Sequence, residues 1–287
     1  MIPKIIHQTW NDDPLPQILK YIRDENIKLL KDKGYEFILW TDEMILKLIN
    51  DNYPNFYKIY NSVTTGVQRG DIARLMIVYH YGGIYIDLDI LLLKDIENII
   101  DFSKDRFNIS LEPSEQTKML YKTDTYICNA FFASNKNNRF LHKLLFTIPK
   151  IIDERGNNIF NIFDAFGGGY IYSMYSMYSM DNSYRYNNNT EENILQEDIN
   201  IIYDRELIYP INDLKLENLI TCASDWNSVK NGKYPSDPVM IHYWIHGDFE
   251  SKNLLNVFKP DINFDIHNNM FSFFNILYNN IAKKMIE

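Results

Sequence analysis

QRGDIARLMIVYHYGGIYIDLDILLL, residues Gln68 to Leu93, changes its apolar period halfway along. From Gln68 to Tyr81 the residues Ile72, Leu75, Met76 and Tyr79 fall at i, i+3, i+4 and i+7, which predicts a helix with one buried face. Gly82-Gly83 closes that helix. Ile84, Ile86, Leu88 and Ile90 then alternate with Tyr85, Asp87 and Asp89, the period of a strand with both carboxylates on one face. A helix running directly into a strand points to an α/β fold.

Two residues along a strand are about 6.6 Å apart, so two carboxylates can converge on one cation. Oxygen ligands select a hard ion such as Mg²⁺ or Mn²⁺ over zinc, and such ions keep water or phosphate oxygens in their remaining positions. The competing reading is a half-buried strand with acids on its solvent face. Asp is disfavoured within strands, and acids flanked by IYI and ILLL need a partner. Asp71 and Arg74, three apart, are neighbours on another face of the helix. They form either a surface ion pair contributing at most about 1 kcal/mol or a donor–acceptor fork for sugar hydroxyls. Spacing leaves both open.

Working outward, Pro3 to Thr9 reads as a strand, Leu15 to Lys33 as a helix and Glu36 to Trp40 as a strand. Asp42 to Asn50 reads as a short helix capped by Asp42, with further helix over Asn55 to Ser62. Tyr126 to Ala133 is a buried strand and Asn138 to Ile148 a helix. In the repeat GGGYIYSMYSMYSMDNSYRYNNNT, Tyr172, Tyr175 and Tyr178 recur every three residues with Met174, Met177 and Met180. This reads as a helix with a broad aromatic face followed by a flexible Asn-rich loop. Asn263 to Met285 reads as an amphipathic helix, packed on the fold or offered to a partner or membrane.

Four blocks together carry a resemblance: Ile2-Pro3-Lys4-Ile5-Ile6-His7-Gln8-Thr9-Trp10, Phe37-Ile38-Leu39-Trp40-Thr41-Asp42, Arg69-Gly70-Asp71-Ile72-Ala73-Arg74 and Gly82-Gly83-Ile84-Tyr85-Ile86-Asp87-Leu88-Asp89. In this order they resemble the DXD-containing sugar-binding-region glycosyltransferases. That family takes in fungal initiating mannosyltransferases, bacterial capsular-polysaccharide transferases and, more distantly, the glucosylating domains of clostridial toxins. The resemblance implies a GT-A fold over residues 1–250, with a helical extension over 251–287. It implies a retaining, metal-assisted transfer of a hexose or N-acetylhexosamine from a nucleotide-diphosphate sugar to a glycan or protein hydroxyl.

The donor expected is a UDP-sugar, with GDP-mannose as the alternative, and the metal is Mn²⁺ or Mg²⁺. By resemblance Asp89 ligates the metal directly, and Asp87 holds the ribose and the metal's water shell. Asp71 and Arg74 grip the donor sugar. Thr9 and Trp10 lie at the nucleotide, where Trp10 either stacks on the base, worth about 1–3 kcal/mol, or is a core aromatic. Asn129 matches an Asn of the donor pocket, or else pairs local backbone.

Pro238-Val239-Met240-Ile241-His242-Tyr243-Trp244-Ile245-His246-Gly247-Asp248-Phe249 resembles the family's closing motif, with Gly-Asp-Phe where Gly-Ser-Trp is usual. The match makes His242 the third metal ligand, with His246 and Asp248 as rivals and a core histidine as the alternative for His242. An imidazole ligand favours manganese over magnesium. Ala165-Phe166-Gly167-Gly168-Gly169 departs from the family's Thr-Gly-Pro turn and leaves the acceptor unidentified.

Composition bounds the rest. The chain has 287 residues, 46% of them hydrophobic, enough for a substantial single core. Its net charge is −9 with no basic run, which argues against a nucleic-acid partner. A divalent cation on Asp87 and Asp89 would supply the local positive field that an anionic donor needs in an acidic protein. No apolar run reaches membrane-span length. A first strand starting at Pro3 leaves no room for a signal peptide or anchor, and Cys128 and Cys222 lack metal-ligand spacing. A cytoplasmic protein is expected, and the wealth of Asn, Ile, Lys and Tyr suggests an AT-rich viral or bacterial genome. Rival classes are a nucleotidyltransferase or sugar-nucleotide hydrolase, which should show a basic Gly-rich phosphate loop, and a catalytically silent sugar-nucleotide-binding module.

Overall fold

The computed structural model describes residues 1–11, 14–155, 166–185, 199–202, 204–211 and 237–245. In chain order the elements are β1 (Ile5–Thr9), α1 (Gln17–Leu30), β2 (Glu36–Trp40), α2 (Asp42–Asn52), α3 (Tyr57–Ser62), α4 (Gly66–Tyr81), β3 (Gly83–Ile86) and β4 (Ile90–Leu92). They continue with β5 (Phe107–Leu111), α5 (Ser114–Tyr121), β6 (Ile127–Ser134), α6 (Arg139–Arg155), α7 (Gly168–Arg185), β7 (Ile199–Ile202) and β8 (Met240–His242). Six strands make one mixed sheet in the order β2-β1-β3-β6-β5-β7. β1 is parallel to β2 and β3, β5 is parallel to β7, and β6 is antiparallel to both neighbours. β4 and β8 form a separate antiparallel pair. This is the α/β, GT-A arrangement that the resemblance implies, with β3 at the centre of the sheet.

Local chemistry sets the pivotal helix. Thr65 Oγ1 accepts the Gln68 N–H at 3.2 Å and caps α4, which therefore starts two residues before the predicted Gln68. Gly82 and Gly83 end it with φ of +70° and +103°; a Cβ on Gly83 would sit 2.5 Å from the Ile5 carbonyl oxygen, so the turn requires glycine. The expectation of a single buried face fails here. Asp71, Ile72, Ala73, Leu75, Met76, Ile77 and Val78 are all buried, because α4 lies between the sheet and α6.

The strand after it is also shorter than the period suggests. β3 stops at Ile86, and Asp87 and Asp89 belong to the turn between two sheets. The expectation that both carboxylates project from one strand face is corrected accordingly. The Asp87 N–H still donates to Ala130 O at 2.8 Å, and the Ile90 N–H folds back onto Asp87 O at 3.1 Å. The alternation arises from the two short strands that flank the turn.

Each side of the sheet carries a core. On one side Tyr85, Phe107, Ile109 and Phe132 pack under α4, α6 and α7; on the other, Ile6, Ile84, Ile86 and Ala133 pack with Leu30, Ile90 and Leu92. Every large aliphatic or aromatic side chain fully buried this way contributes about 1.5–3 kcal/mol.

The remaining expectations shift at their ends. β2 spans the predicted residues, and α1 is shorter than predicted. The cap of α2 is Thr41, whose Oγ1 accepts from Met44 N at 3.3 Å, and not Asp42. Asn138 Oδ1 accepts from the N–H groups of Phe140 and Leu141, and α6 runs past the predicted Ile148 and through Pro149 to Arg155. The lost Pro149 N–H is offset by complete burial of Leu144 and Ile148. α7 realises the Tyr/Met repeat, with Tyr172 and Tyr175 against the core and Met177 exposed. It begins at Gly168, where a Cβ would overlap the Ile127 carbonyl oxygen. The Asn-rich tract and the 251–287 extension, with its helix over 263–285, lie outside the described residues. Among the described residues no helix is long and apolar enough to cross a membrane.

Candidate active site

The site lies where β1, β3 and the start of β6 meet the β4–β8 pair. α1 secures this junction: Asn26 Nδ2 donates to Ile90 O at 2.8 Å and Asn26 Oδ1 accepts from Leu92 N at 2.7 Å. A buried side-chain amide thus replaces a neighbouring strand for β4, just beyond Asp89.

Asp87 is the hub of the first half. The Tyr85 hydroxyl donates to Asp87 Oδ1 at 2.7 Å, and Thr9 Oγ1 donates to the Tyr85 hydroxyl at 3.0 Å. Arg74 lies over the Tyr85 ring at 4.7 Å, with Nη1 3.4 Å from Asp87 Oδ1 and donating to Asn129 O at 3.0 Å. Its Nη2 is 3.5 Å from Asp71 Oδ1, which also accepts from Asn129 Nδ2 at 2.8 Å. With side chains only 11% and 5% exposed, Arg74 and Asp71 are not a surface pair. Asn129 ties α4 to β6 through this network and does not merely pair local backbone.

Asp89 organises the second half. Its Oδ2 accepts from Ile245 N at 2.6 Å, its backbone oxygen accepts from Tyr243 N at 3.0 Å, and its Oδ1 lies 3.2 Å from His242 Nε2. β8 places His242 by pairing it with Ile90. His246 and Asp248, the rivals for the third ligand position, lie outside the described residues.

Burial dominates the electrostatics. It pushes the Asp71 carboxyl up to about 6, against the pull of Arg74 and of the Asn129 bond. Burial also raises Asp87, opposed by Arg74 and reinforced by the Asp89 charge. Burial works against the Arg74 cation, yet Asp87, Tyr85 and Asp71 override it and hold the guanidinium charged. Two acids and one cation share a desolvated space, so one further positive charge would be strongly stabilised.

The donor set fits such a charge. Asp87, Asp89 and His242 each offer a ligand atom, all within 4.8 Å of one another. Two carboxylate oxygens and one imidazole nitrogen suit Mn²⁺ and are acceptable to Mg²⁺.

At the end of β1, Trp10 is half-buried and its backbone N–H donates to Trp40 O at 2.9 Å. Its indole Nε1 is buried without a hydrogen-bond partner among the described residues. His7 has a separate task. Fully buried, it donates from Nε2 to Gly82 O at 2.9 Å and accepts from Trp40 Nε1 at 3.1 Å, stitching β1 to β2 and to the end of α4. Sequence reading missed the part of Tyr85, although its period-two spacing from Asp87 was the available signal. It also missed Asn26, for which no local pattern exists.

Residues 16–105 match the family model described as glycosyltransferase sugar-binding region containing DXD motif. Over these residues the chain is similar to that family. The DXD region includes Asp71, Arg74, Asp87 and Asp89, while Thr9, Trp10, Asn129 and His242 lie outside the matched span. The chain is similar to inositol phosphoceramide mannosyltransferase 1 of Schizosaccharomyces pombe, 34% identical over 151 residues, covering 52% of this chain and 43% of the relative. It is 49% identical over 89 residues to inositol phosphoceramide mannosyltransferase 2 of the same yeast, covering 31% and 25%. An uncharacterized glycosyltransferase of Acanthamoeba polyphaga mimivirus is 28% identical over 103 residues, covering 35% and 40%. The chain therefore spans less than half the length of these relatives. Among solved structures, a glycosyltransferase involved in glycosylation of the major capsid of PBCV-1 superposes with a TM-score of 0.45 at 11% identity, over 88% of this chain and 99% of the other.

Proposed function

We propose that this chain is a metal-assisted glycosyltransferase that takes a hexose from a nucleotide-diphosphate sugar and passes it, with retention, to a hydroxyl of a glycan, protein or related acceptor. The observation that carries this reading is the convergence of Asp87, Asp89 and His242 within 4.8 Å beside the buried Arg74–Asp71–Asn129 network. Asp89, Asp87 and His242 would hold Mn²⁺ or Mg²⁺, which when bound neutralises the departing nucleoside diphosphate. Arg74 donates to, and Asp71 accepts from, hydroxyls of the donor sugar. Their fixed positions lower the ordering cost of the transfer. Trp10, with Thr9 beside it, forms the platform for the nucleobase. The mannosyltransferase names of the yeast relatives favour GDP-mannose as donor, with a UDP-sugar as the second candidate.

The test is release of nucleoside diphosphate from GDP-mannose, UDP-glucose, UDP-galactose and UDP-N-acetylglucosamine, with Mn²⁺, with Mg²⁺ and with chelator. Metal-dependent release that disappears in Asp89→Ala supports the reading. Tight donor binding without release would instead make the chain a silent binding module, and release indifferent to chelator would remove the metal from the reading.

A further inference from the structure

His242 projects from a three-residue strand outside the main sheet, and its imidazole is enclosed by two aromatic rings. The Trp244 ring centroid lies 4.1 Å away at 42°, and that of Tyr209 lies 5.8 Å away at 55°. Tyr209 and Trp244 also touch each other, at 5.7 Å. All three side chains are buried.

Both rings are fixed by the segment that follows β7. Trp244 Nε1 donates to Ile211 O at 2.9 Å, and Val239 N donates to Leu207 O at 2.7 Å, so residues 204–211 bind the strap 237–245 at its two ends. Trp244 has a φ of +53°, a left-handed backbone that a bulky aromatic rarely adopts. Such an outlier persists only where its surroundings over-determine it. Here the surroundings are the Ile211 bond, the Tyr209 contact and the neighbouring backbone bonds from Tyr243 and Ile245 to Asp89. Turning the chain left-handed at this residue brings the indole back over His242, two positions earlier.

We infer that Tyr209 and Trp244 are positioning residues that clamp the His242 imidazole with Nε2 toward Asp89, and thereby set the chain's affinity for a divalent cation. The inference rests on the metal reading above. Outer residues that orient a ligating histidine typically change metal affinity 10–100-fold when removed.

The test is Mn²⁺ binding to the full chain, read from the electron paramagnetic resonance of free Mn²⁺ with no donor present, together with each variant's melting temperature. Trp244→Asn removes the ring and suits the left-handed backbone, so the fold survives while the Mn²⁺ dissociation constant should rise about tenfold or more. Tyr209→Ala should raise it similarly, and Tyr209→Phe, which keeps the ring, should restore it. If the folded Trp244→Asn and Tyr209→Ala chains bind Mn²⁺ as tightly as the unaltered chain, the clamp is refuted and the metal site stands. If the unaltered chain binds no Mn²⁺, and no Mg²⁺ by titration calorimetry, the metal reading fails and the clamp with it.

Discussion

Replacing His7 with Asn removes one titratable group from the centre of the sheet, and the consequence can be worked from its bonds. Nε2–H donates to Gly82 O and Nδ1 accepts from the Trp40 indole, so only the neutral tautomer satisfies both partners. Burial depresses the pKa from 6.5 to about 4, partly offset by the Gly82 bond. A gap of about 2.5 pH units at about 1.36 kcal/mol each is roughly 3 kcal/mol. Because the folded value is the lower one, this stability is present above pH 6.5 and is lost as pH falls towards 4. The assay is urea unfolding followed by circular dichroism at steps from pH 7 to pH 4, for the unaltered chain and for His7→Asn. Asn keeps an acceptor for Trp40 but does not titrate, so the variant is less stable at pH 7 and the two curves converge by about 3 kcal/mol on acidification. Other groups titrate equally in both chains and cancel in the difference. Parallel curves would refute the assignment of a neutral His7 locked between Gly82 and Trp40.

Further outcomes follow from other contacts. Asp89→Ala removes both the Oδ1 contact to His242 and the acceptor for Ile245, and should lower metal-dependent turnover by at least about 10²-fold, measured as nucleoside diphosphate release. Arg74→Lys keeps the charge but cannot reach Asn129, Asp71 and Asp87 together; turnover should fall roughly 10–100-fold while the melting temperature moves little. Gly83→Ala forces a Cβ against Ile5 O at a φ of +103° and should cost about 2 kcal/mol or more in urea unfolding. Asn138→Ala removes the acceptor for Phe140 and Leu141 at the start of α6 and should cost about 1 kcal/mol in the same assay.

Much of the central layer was legible because its residues answer to local rules. The i, i+3, i+4 spacing of Ile72, Leu75 and Met76, the Gly82-Gly83 stop and the run from Glu36 to Trp40 each specify an element without reference to the rest of the chain. The strand period misled at Asp87, since an alternating pattern interrupted by a turn is indistinguishable from one that continues. β5, α5 and β7 were missed: Phe107–Leu111 is a short segment buried on both faces without clear alternation, and Ile199–Ile202 gains its strand character from pairing with β5. At the site, the burial of Asp71 and Arg74 depends on α6 covering α4, a tertiary fact that three-residue spacing does not contain. The enclosure of His242 by Tyr209 joins segments over thirty residues apart, beyond the reach of any periodicity.

Asp89 bonds to Ile245 across 156 residues of chain, which gives the Asp87–Asp89 turn an unusual place in the order of assembly. β1, β2, β3 and the Arg74 network need only the first 134 or so residues, and contacts of such short separation close early. His242 can join Asp87 and Asp89 only after β8 has docked on β4, among the longest-range pairings in the described fold. A cation held by all three, as proposed above, would therefore report that this pairing has formed. A nascent polypeptide that ends before residue 242 would carry both carboxylates but lack the imidazole, so the proposed metal site would stay incomplete until β8 has been made and docked.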